Sequence, residues 1–132
     1  IFVGVREDLE IEPSHPEAET EIVLPSNALN NCDSVKITNQ TPRPLQIRDR
    51  MKWGKVSSTI VKTPCSIMAK DNVHPEENRF LSIEEAKRIA SFPDAFDMTG
   101  NYKDCWNRIG NSVPPLFMRS IARHVRKEIL DK

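Results

Sequence analysis

The stretch RFLSIEEAKRIASFPD, residues 79 to 94, carries the clearest folding signal in this chain of 132 residues. Ser82 is followed three positions later by Glu85, which is the pattern of a capping box at the start of a helix. Apolar residues then recur at the helical period and share one face: Ile83, Ala86, Ile89 and Ala90. We therefore predict a short amphipathic helix that is ended by Pro93.

A second helix is predicted after the stretch RIGNSVPPLF, residues 108 to 117. Prolines suit the first turn of a helix, where the missing N–H would have no intrahelical partner, and Ser112 is then the predicted N-cap. Free N–H groups and the positive end of the helix dipole would favour a carboxylate or a phosphate there. These groups belong to Gly110, Asn111, Ser112 and Val113. An ordinary capped helix is the alternative interpretation.

This last helix is predicted to be amphipathic, and residues 94–102 before it are predicted to form a loop. Its apolar stripe runs at steps of four, with Leu116 beside it: Val113, Phe117, Ile121, Val125 and Ile129. Its other face is basic: Arg119, Arg123, Arg126 and Lys127.

The first half of the chain is less regular. IFVGVR, residues 1 to 6, is an apolar, β-branched run that predicts a buried strand. The acidic, proline-punctuated residues that follow predict an extended connector. From Cys32 to Val73 the pattern is turn-broken, and SSTIVKT and CSIMA are the best strand candidates.

Charge is segregated along this half although the net charge is zero. Eight acidic residues and no Lys or Arg lie between Glu7 and Asp33, whereas eight basic residues and one acidic residue lie between Lys36 and Lys70. Clustered cations gain affinity for polyanions by releasing counterions from phosphates. The basic segment is therefore either a surface for nucleic acid or an unevenly charged, solvated surface.

Other classes of protein are disfavoured by composition. No apolar run approaches the length of a membrane span and no leader pattern is present, so we expect an intracellular protein without a membrane. The cysteines, Cys32, Cys65 and Cys105, are odd in number and widely spaced, as are the three histidines. Neither a disulfide framework nor a metal site is expected.

The ordered motifs resemble those of the DNA cytosine-5 methyltransferases. HPEENRFLSIEEAKRIASFPDAF (74–96) is similar to motif IX of that family, and NRIGNSVPPLF (107–117) is similar to motif X. IFVGVREDL (1–9) resembles the end of motif VIII through Gly4, Arg6 and Asp8. The family keeps its variable target recognition region between motifs VIII and IX.

The resemblance implies an α+β chain that corresponds to the C-terminal small domain of such an enzyme, the target recognition domain. A strand and the last helix would belong to the α/β large domain, which binds S-adenosylmethionine. Four regions are implied: residues 1–8, the end of the catalytic-domain strand; residues 9–73, the acidic connector and recognition region; residues 74–98, the motif IX helix; and residues 99–132, motif X and the helix that returns to the catalytic domain.

Family members transfer a methyl group from S-adenosyl-L-methionine to carbon 5 of a cytosine flipped out of duplex DNA. The resemblance implies that the cofactor is bound mainly by an N-terminal part that is absent here, and that motif X closes its pocket. The implied cofactor-binding residues in this chain are Gly110, Asn111, Ser112 and Val113. Trp106 stacking on the cofactor is conceivable, but we expect it to pack in the core.

The implied recognition segment would read the major groove with side-chain donors and acceptors. The candidates for DNA binding are Gln40, Arg43, Gln46, Arg48, Arg50, Lys52 and Lys55. Motif IX supports this region in the family, and we expect Arg79 and Glu85 to anchor it through hydrogen bonds.

No catalytic residue is expected in this chain. Pro64-Cys65 imitates the family's nucleophile pair, but that pair precedes motif VIII, so we interpret Cys65 as structural. The chain is then a C-terminal fragment or a small subunit of a split methyltransferase, inactive alone, with double-stranded DNA and the catalytic part as partners. A stand-alone DNA-binding module and a degenerate relic are the alternatives. Restriction-modification and epigenetic marking are both compatible with the sequence.

Overall fold

The computed structural model describes four parts of the chain: residues 3–18, 29, 50–62 and 73–131. The chain divides into two compact units. The first unit consists of Ile1–Glu21 and Val113–Lys132, and the second consists of Ile22–Ser112. Within the described ranges, no helix has the length and apolar character that a membrane crossing requires.

Helices dominate the described residues. They are α1 (Ile83–Ile89), α2 (Tyr102–Asn111) and α3 (Pro115–Val125). A 3-10 turn lies at Glu7–Leu9, and a π-helical turn at Arg126–Leu130 follows α3.

The predicted capping box at the start of α1 is confirmed. The Ser82 hydroxyl accepts the Glu85 N–H at 3.1 Å, and the Glu85 carboxylate accepts the Ser82 N–H at 2.7 Å. The predicted apolar face is also confirmed, since Ala86 and Ala90 are buried in the core and the two isoleucines pack against it. The helix ends at Ile89, before Pro93, and Ser91 then takes a positive φ of 63°.

Helix α2 begins at Tyr102, at the end of the predicted loop of residues 94–102, and no helix was predicted over its residues. Asn101 is its N-cap, and the side chain of Asn101 accepts the Asp104 N–H at 3.0 Å. Its buried residues are Cys105, Trp106 and Ile109. Together with Tyr102, these positions follow the i, i+3, i+4, i+7 spacing of a helix, so the sequence carried a signal for α2 that the prediction did not use.

The core of the second unit lies between α1, α2 and the residues around 51–62. Trp106 is 1% exposed and its indole N–H donates to the Val61 carbonyl at 2.9 Å, which confirms the prediction that this residue packs in the core. The Tyr102 hydroxyl donates to the Leu81 carbonyl at 2.9 Å. The buried cluster contains Leu29, Met51, Leu81, Ala86, Ala90, Trp106 and Ile109.

The predicted strands are not present among the described residues. Val3–Arg6 and residues 57–62 form no strand, and CSIMA lies outside the described ranges. Pairing within the described ranges is limited to isolated bridges that join Val73 to Arg50 and to Phe80. A strand is defined by hydrogen bonds to a neighbouring strand, and the described ranges contain no such neighbour for these segments. Among the described residues, the β part of the α+β prediction is not borne out.

The first unit contains α3, whose predicted apolar stripe is only partly buried. Ile121 and Ile129 are buried, whereas Phe117 is 51% exposed and Leu116 is 40% exposed. A cavity of about 400 Å³ lies between the N-terminal residues and α3, lined mainly by aliphatic side chains. Ser14 shares a 2.8 Å hydrogen bond with the His124 ring, which joins the acidic connector to α3.

Gly110 lies where α2 approaches the backbone of residues 61–62. A Cβ atom at this position would lie 2.5 Å from both the Cα and the N of Lys62, and 2.6 Å from the Val61 carbonyl carbon. These are backbone atoms, which have little freedom to move. The glycine therefore permits α2 to pack on the residue 61–62 backbone.

We expect Gly110→Ala to lower the free energy of unfolding by about 1–3 kcal/mol, the usual effect of forcing atoms into a packed interior. Gly54→Ala is the matched control, because a Cβ at Gly54 meets nothing within 4 Å. That variant should stay within about 0.5 kcal/mol of the wild-type protein. Urea unfolding measures both values, and equal effects of the two substitutions would contradict this packing.

Candidate functional site

The best-defined polar site of the second unit surrounds the buried carboxylate of Glu85. Arg79 donates to this carboxylate twice, at 2.7 and 2.8 Å, in a bidentate arrangement. The backbone N–H of Ser82 donates to it as well. Glu85 is 1% exposed, so these bonds compensate for the removal of its charge from water. The structure thus brings together the two residues that were expected to anchor the recognition region.

The pKa values of the acidic and basic groups at this site shift in opposite directions. Burial favours the neutral form of Glu85, but the hydrogen bonds from Arg79 and Ser82 and the Arg79 charge outweigh it, so the pKa is lower than usual. Hydrogen bonding to Glu85 raises the pKa of Arg79. Hydrogen bonding to Arg79 also lowers the pKa of Glu77. All three groups are therefore charged at neutral pH.

Residues 74–78, termed here the motif IX loop, are fixed by the ring of His74. Its Nδ1 atom accepts the N–H groups of Glu76 and Glu77 at 3.3 and 3.1 Å. Nδ1 therefore carries no proton, and in the neutral ring the proton lies on Nε2. The N–H of His74 donates to the Arg79 carbonyl at 3.0 Å, which closes the loop at its base.

Arg50 is the first of the predicted DNA-binding residues that the structure describes, and its guanidinium contacts the motif IX loop. It donates to the carbonyls of His74 and Glu77 at 3.0 and 2.8 Å, and to the side-chain oxygen of Asn78. The other predicted residues that are described, Lys52 and Lys55, are exposed in a turn. The remaining four lie outside the described residues: Gln40, Arg43, Gln46 and Arg48.

Sequence reasoning missed Trp53, which adjoins these residues. Its indole N–H donates to the Glu76 carboxylate at 3.0 Å. Its ring meets the His74 ring edge to face, with centroids 6.0 Å apart and an interplanar angle of 89°. The signal available in the sequence was a tryptophan between two lysines, which is an unusual place for so large an apolar side chain.

The predicted helix entry at Gly110–Val113 is wrong in one respect. Ser112 is the C-cap of α2, and α3 begins only at Pro115, after the cap residue Pro114. A residue before proline is biased away from the α conformation, so Val113 and Pro114 cannot easily begin a helix. Residues 110–112 therefore lie at the negative end of the α2 dipole, and the argument that a helix N-terminus would hold an anion there fails.

The four predicted cofactor-binding residues have different structural roles. Gly110 and Asn111 are the last residues of α2, and the Ser112 hydroxyl donates to the Ile109 carbonyl at 2.6 Å. Asn111 is exposed, and Val113 is 45% exposed. Asn111 and Val113 therefore present their side chains to solvent.

The cysteine that the structure describes is buried. The thiol of Cys105 is buried and lies 3.7 Å from the carbonyls of Met98 and Gly100. The other two cysteines, including Cys65, lie outside the described residues. Among the side chains that the structure describes, no group of His, Cys, Asp or Glu is arranged to hold a metal ion.

A family model for C-5 cytosine-specific DNA methylases matches residues 3–127. The chain belongs to this family. It is 39% identical over 83 residues to the type II methyltransferase M.AgeI of Thalassovita gelatinovora. The matched region covers 61% of this chain and 18% of that protein. It is 43% identical over 54 residues to the type II methyltransferase M.AplI of Arthrospira platensis, which covers 41% of this chain and 16% of that protein.

A vertebrate cytosine methylase is also similar. The chain is 35% identical over 78 residues to DNA (cytosine-5)-methyltransferase 1 of Gallus gallus, covering 58% of this chain and 5% of that protein. The matched regions span less than a fifth of each of these three curated relatives. The predicted resemblance to the DNA cytosine-5 methyltransferases is thus confirmed at the level of the family.

We expect Glu85→Gln to lower the free energy of unfolding at neutral pH by about 3 kcal/mol, because the charge of Arg79 loses its buried partner. The contribution of Glu85 is complete above its ordinary pKa of 4.5 and disappears as the pH falls through the lower pKa of the folded state. The variant should therefore lack this acid-sensitive part of the stability. Urea unfolding at a series of pH values measures both effects.

Asp97→Asn is the control for this experiment, because Asp97 is exposed and lies outside the ion pair of Glu85 with Arg79. It should keep the acid-sensitive part of the stability. A Glu85→Gln variant with the same pH dependence as the wild-type protein would contradict the buried ion pair.

Proposed function

We propose that this chain forms the C-terminal part of a DNA (cytosine-5) methyltransferase. In this proposal the second unit recognises the DNA target, the residues at the end of α2 contact S-adenosylmethionine, and α3 packs on the catalytic part. The chain alone is inactive. Two observations support the proposal: the family model matches residues 3–127, and the matched regions cover only 18% of M.AgeI and 16% of M.AplI.

The division of the chain supports this proposal. Motif VIII-like and α3 residues share the first unit, and the motif IX residues belong to the second. This is the grouping expected if the first unit belongs to the catalytic domain and the second unit to the target recognition domain. The apolar side chains that α3 exposes, including Phe117 and Leu116, would then pack against the catalytic part.

The residues at the end of α2 suit the polar end of the cofactor. Asn111 offers an exposed amide, and Ser112 offers a hydroxyl whose lone pairs can accept while its proton is donated to Ile109. The negative end of the α2 dipole favours a cation, such as the ammonium group of a methionine moiety, over a carboxylate. When bound, the cofactor supplies the methyl group, and these residues orient its amino-acid end.

DNA recognition is proposed for the basic segment of the second unit. Lys52 and Lys55 are exposed in a turn and suit phosphate contacts. The proposed base-reading or phosphate-binding residues before this turn are Gln40, Arg43, Gln46 and Arg48. Arg79 and Glu85 support the segment by fixing the motif IX loop.

Reconstitution tests the proposed function. Mixing the chain with the catalytic part of the enzyme should give methyl transfer to cytosine in duplex DNA, whereas each part alone should give none. Absence of activity with a folded catalytic part would contradict the proposal. DNA binding by the chain alone, with a steep salt dependence and no sequence preference, would instead favour a stand-alone binding module.

We expect Asn111→Ala in the reassembled enzyme to weaken S-adenosylmethionine binding by about tenfold, the usual effect of losing one or two hydrogen bonds. DNA affinity and stability should change little, because the Asn111 side chain is exposed. Calorimetric titration with the cofactor and DNA-binding measurements separate these effects. Ser112→Ala is a useful contrast, since it also removes the bond to Ile109 and should lower stability.

Equal losses of cofactor and DNA affinity in Asn111→Ala would mean that the residue acts through the fold. No loss of either would remove Asn111 from the proposed cofactor site.

A further inference from the structure

Residues 50–53 are attached to the motif IX loop at several points. The three bonds from the Arg50 guanidinium reach His74, Glu77 and Asn78. The N–H of Met51 donates to the Val73 carbonyl at 3.0 Å, and the Met51 side chain is buried. Both terminal nitrogens of Arg50 are therefore directed at the chain itself.

Trp53 provides a second attachment to the same loop. It combines the bond to Glu76 with the edge-to-face contact on His74. Lys52 lies between Arg50 and Trp53, and Lys55 lies two positions after Trp53; both lysine side chains are exposed. The Lys55 N–H donates to the Lys52 carbonyl at 3.2 Å, which closes the turn.

The motif IX loop is in turn held from its other side. Arg79 donates to the carboxylates of both Glu77 and Glu85, and Glu85 belongs to α1. A continuous series of polar contacts therefore joins the buried carboxylate of Glu85 to the turn at Lys52 and Lys55.

We propose that Arg50 and Trp53 are positioning residues that set DNA affinity without touching DNA. They fix the turn with Lys52 and Lys55 on the motif IX loop, so that the two lysines are presented in one geometry. This inference rests on the proposed role of the segment in DNA recognition. It reassigns Arg50, because a base contact by Arg50 would leave the carbonyls of His74 and Glu77 without their donor.

A double-mutant cycle tests the inference in the methyltransferase reassembled from this chain and its catalytic part. Arg50→Ala should raise the dissociation constant for target duplex by about tenfold, and Asn78→Ala should raise it less. If Arg50 acts through the loop, the double variant should be no weaker than Arg50→Ala alone. Fluorescence anisotropy with a labelled duplex gives these constants.

Lys52→Ala combined with Asn78→Ala is the matched control. The side chain of Lys52 is exposed, so its removal should leave the loop contacts intact and the two losses should multiply. The salt dependence separates the two kinds of residue. Loss of a phosphate contact lowers the slope of log affinity against log salt by about 0.9, whereas loss of a positioning residue should not change it.

Conservative variants separate charge from geometry. Arg50→Lys keeps the charge but cannot present the planar donor arrangement, so it should behave like Arg50→Ala. Trp53→Phe keeps a ring beside His74 but lacks the indole donor, and it should weaken DNA binding less than Arg50→Ala. These two variants and Asn78→Ala still provide the test if Arg50→Ala does not fold.

Two outcomes would overturn the inference. Multiplying losses in the Arg50 and Asn78 cycle, or full rescue by Arg50→Lys together with a lower salt slope in Arg50→Ala, would show that Arg50 acts through its charge on DNA. Both leave the proposed function intact. A wild-type assembly without affinity for DNA would overturn the proposed function together with the positioning role.

Discussion

A negative charge that is almost fully removed from water dictates the arrangement of the second unit. The carboxylate of Glu85 is 1% exposed, and an isolated carboxylate in such surroundings would destabilise the fold by several kcal/mol. Arg79 and the Ser82 N–H together satisfy it. The same carboxylate therefore begins α1 and fixes the residue that closes the motif IX loop.

Two attachments extend this arrangement into the basic half of the chain. At one end, Arg50 and Trp53 join residues 50–53 to the motif IX loop. At the other end, Trp106 donates to the Val61 carbonyl, and Gly110 allows α2 to approach the backbone of Lys62. The described residues between these ends are therefore held at both sides by motif IX and motif X elements. If the proposed function is correct, the second unit presents these residues to DNA from a fixed support.

Local signals in the sequence predicted local structure well, and α1 is the clearest case. A capping box requires only residues that lie three positions apart, so Ser82 and Glu85 sufficed to locate the helix start. The family resemblance named Arg79 and Glu85 as anchoring residues but did not predict the bidentate contact between them. The contacts of Arg50 were not predictable, because its partners lie more than twenty positions away and include two backbone carbonyls. Every residue has a backbone carbonyl, so the sequence does not indicate which carbonyls accept a hydrogen bond from Arg50.

The errors arose where the local sequence pattern is compatible with more than one structure. The segment IFVGVR has the composition of a strand, but composition does not supply the neighbouring strand that a ladder requires. Serine is a residue type that favours the N-cap position, yet α3 begins only at Pro115, and Ser112 is the C-cap of α2. The division between the two compact units falls directly after this residue.

The structural roles of the GNSVPP stretch, residues 110–115, indicate which of its residues best tests the proposed cofactor site. Gly110 permits the contact with residues 61–62, Ser112 caps α2, and the prolines set the start of α3. These duties account for four of the six residues without any cofactor. Asn111 and Val113 have exposed side chains, and no hydrogen bond among the described residues uses the Asn111 amide. Because the Asn111 side chain is exposed and has no hydrogen bond among the described residues, its replacement is the substitution in this stretch that best separates ligand binding from folding.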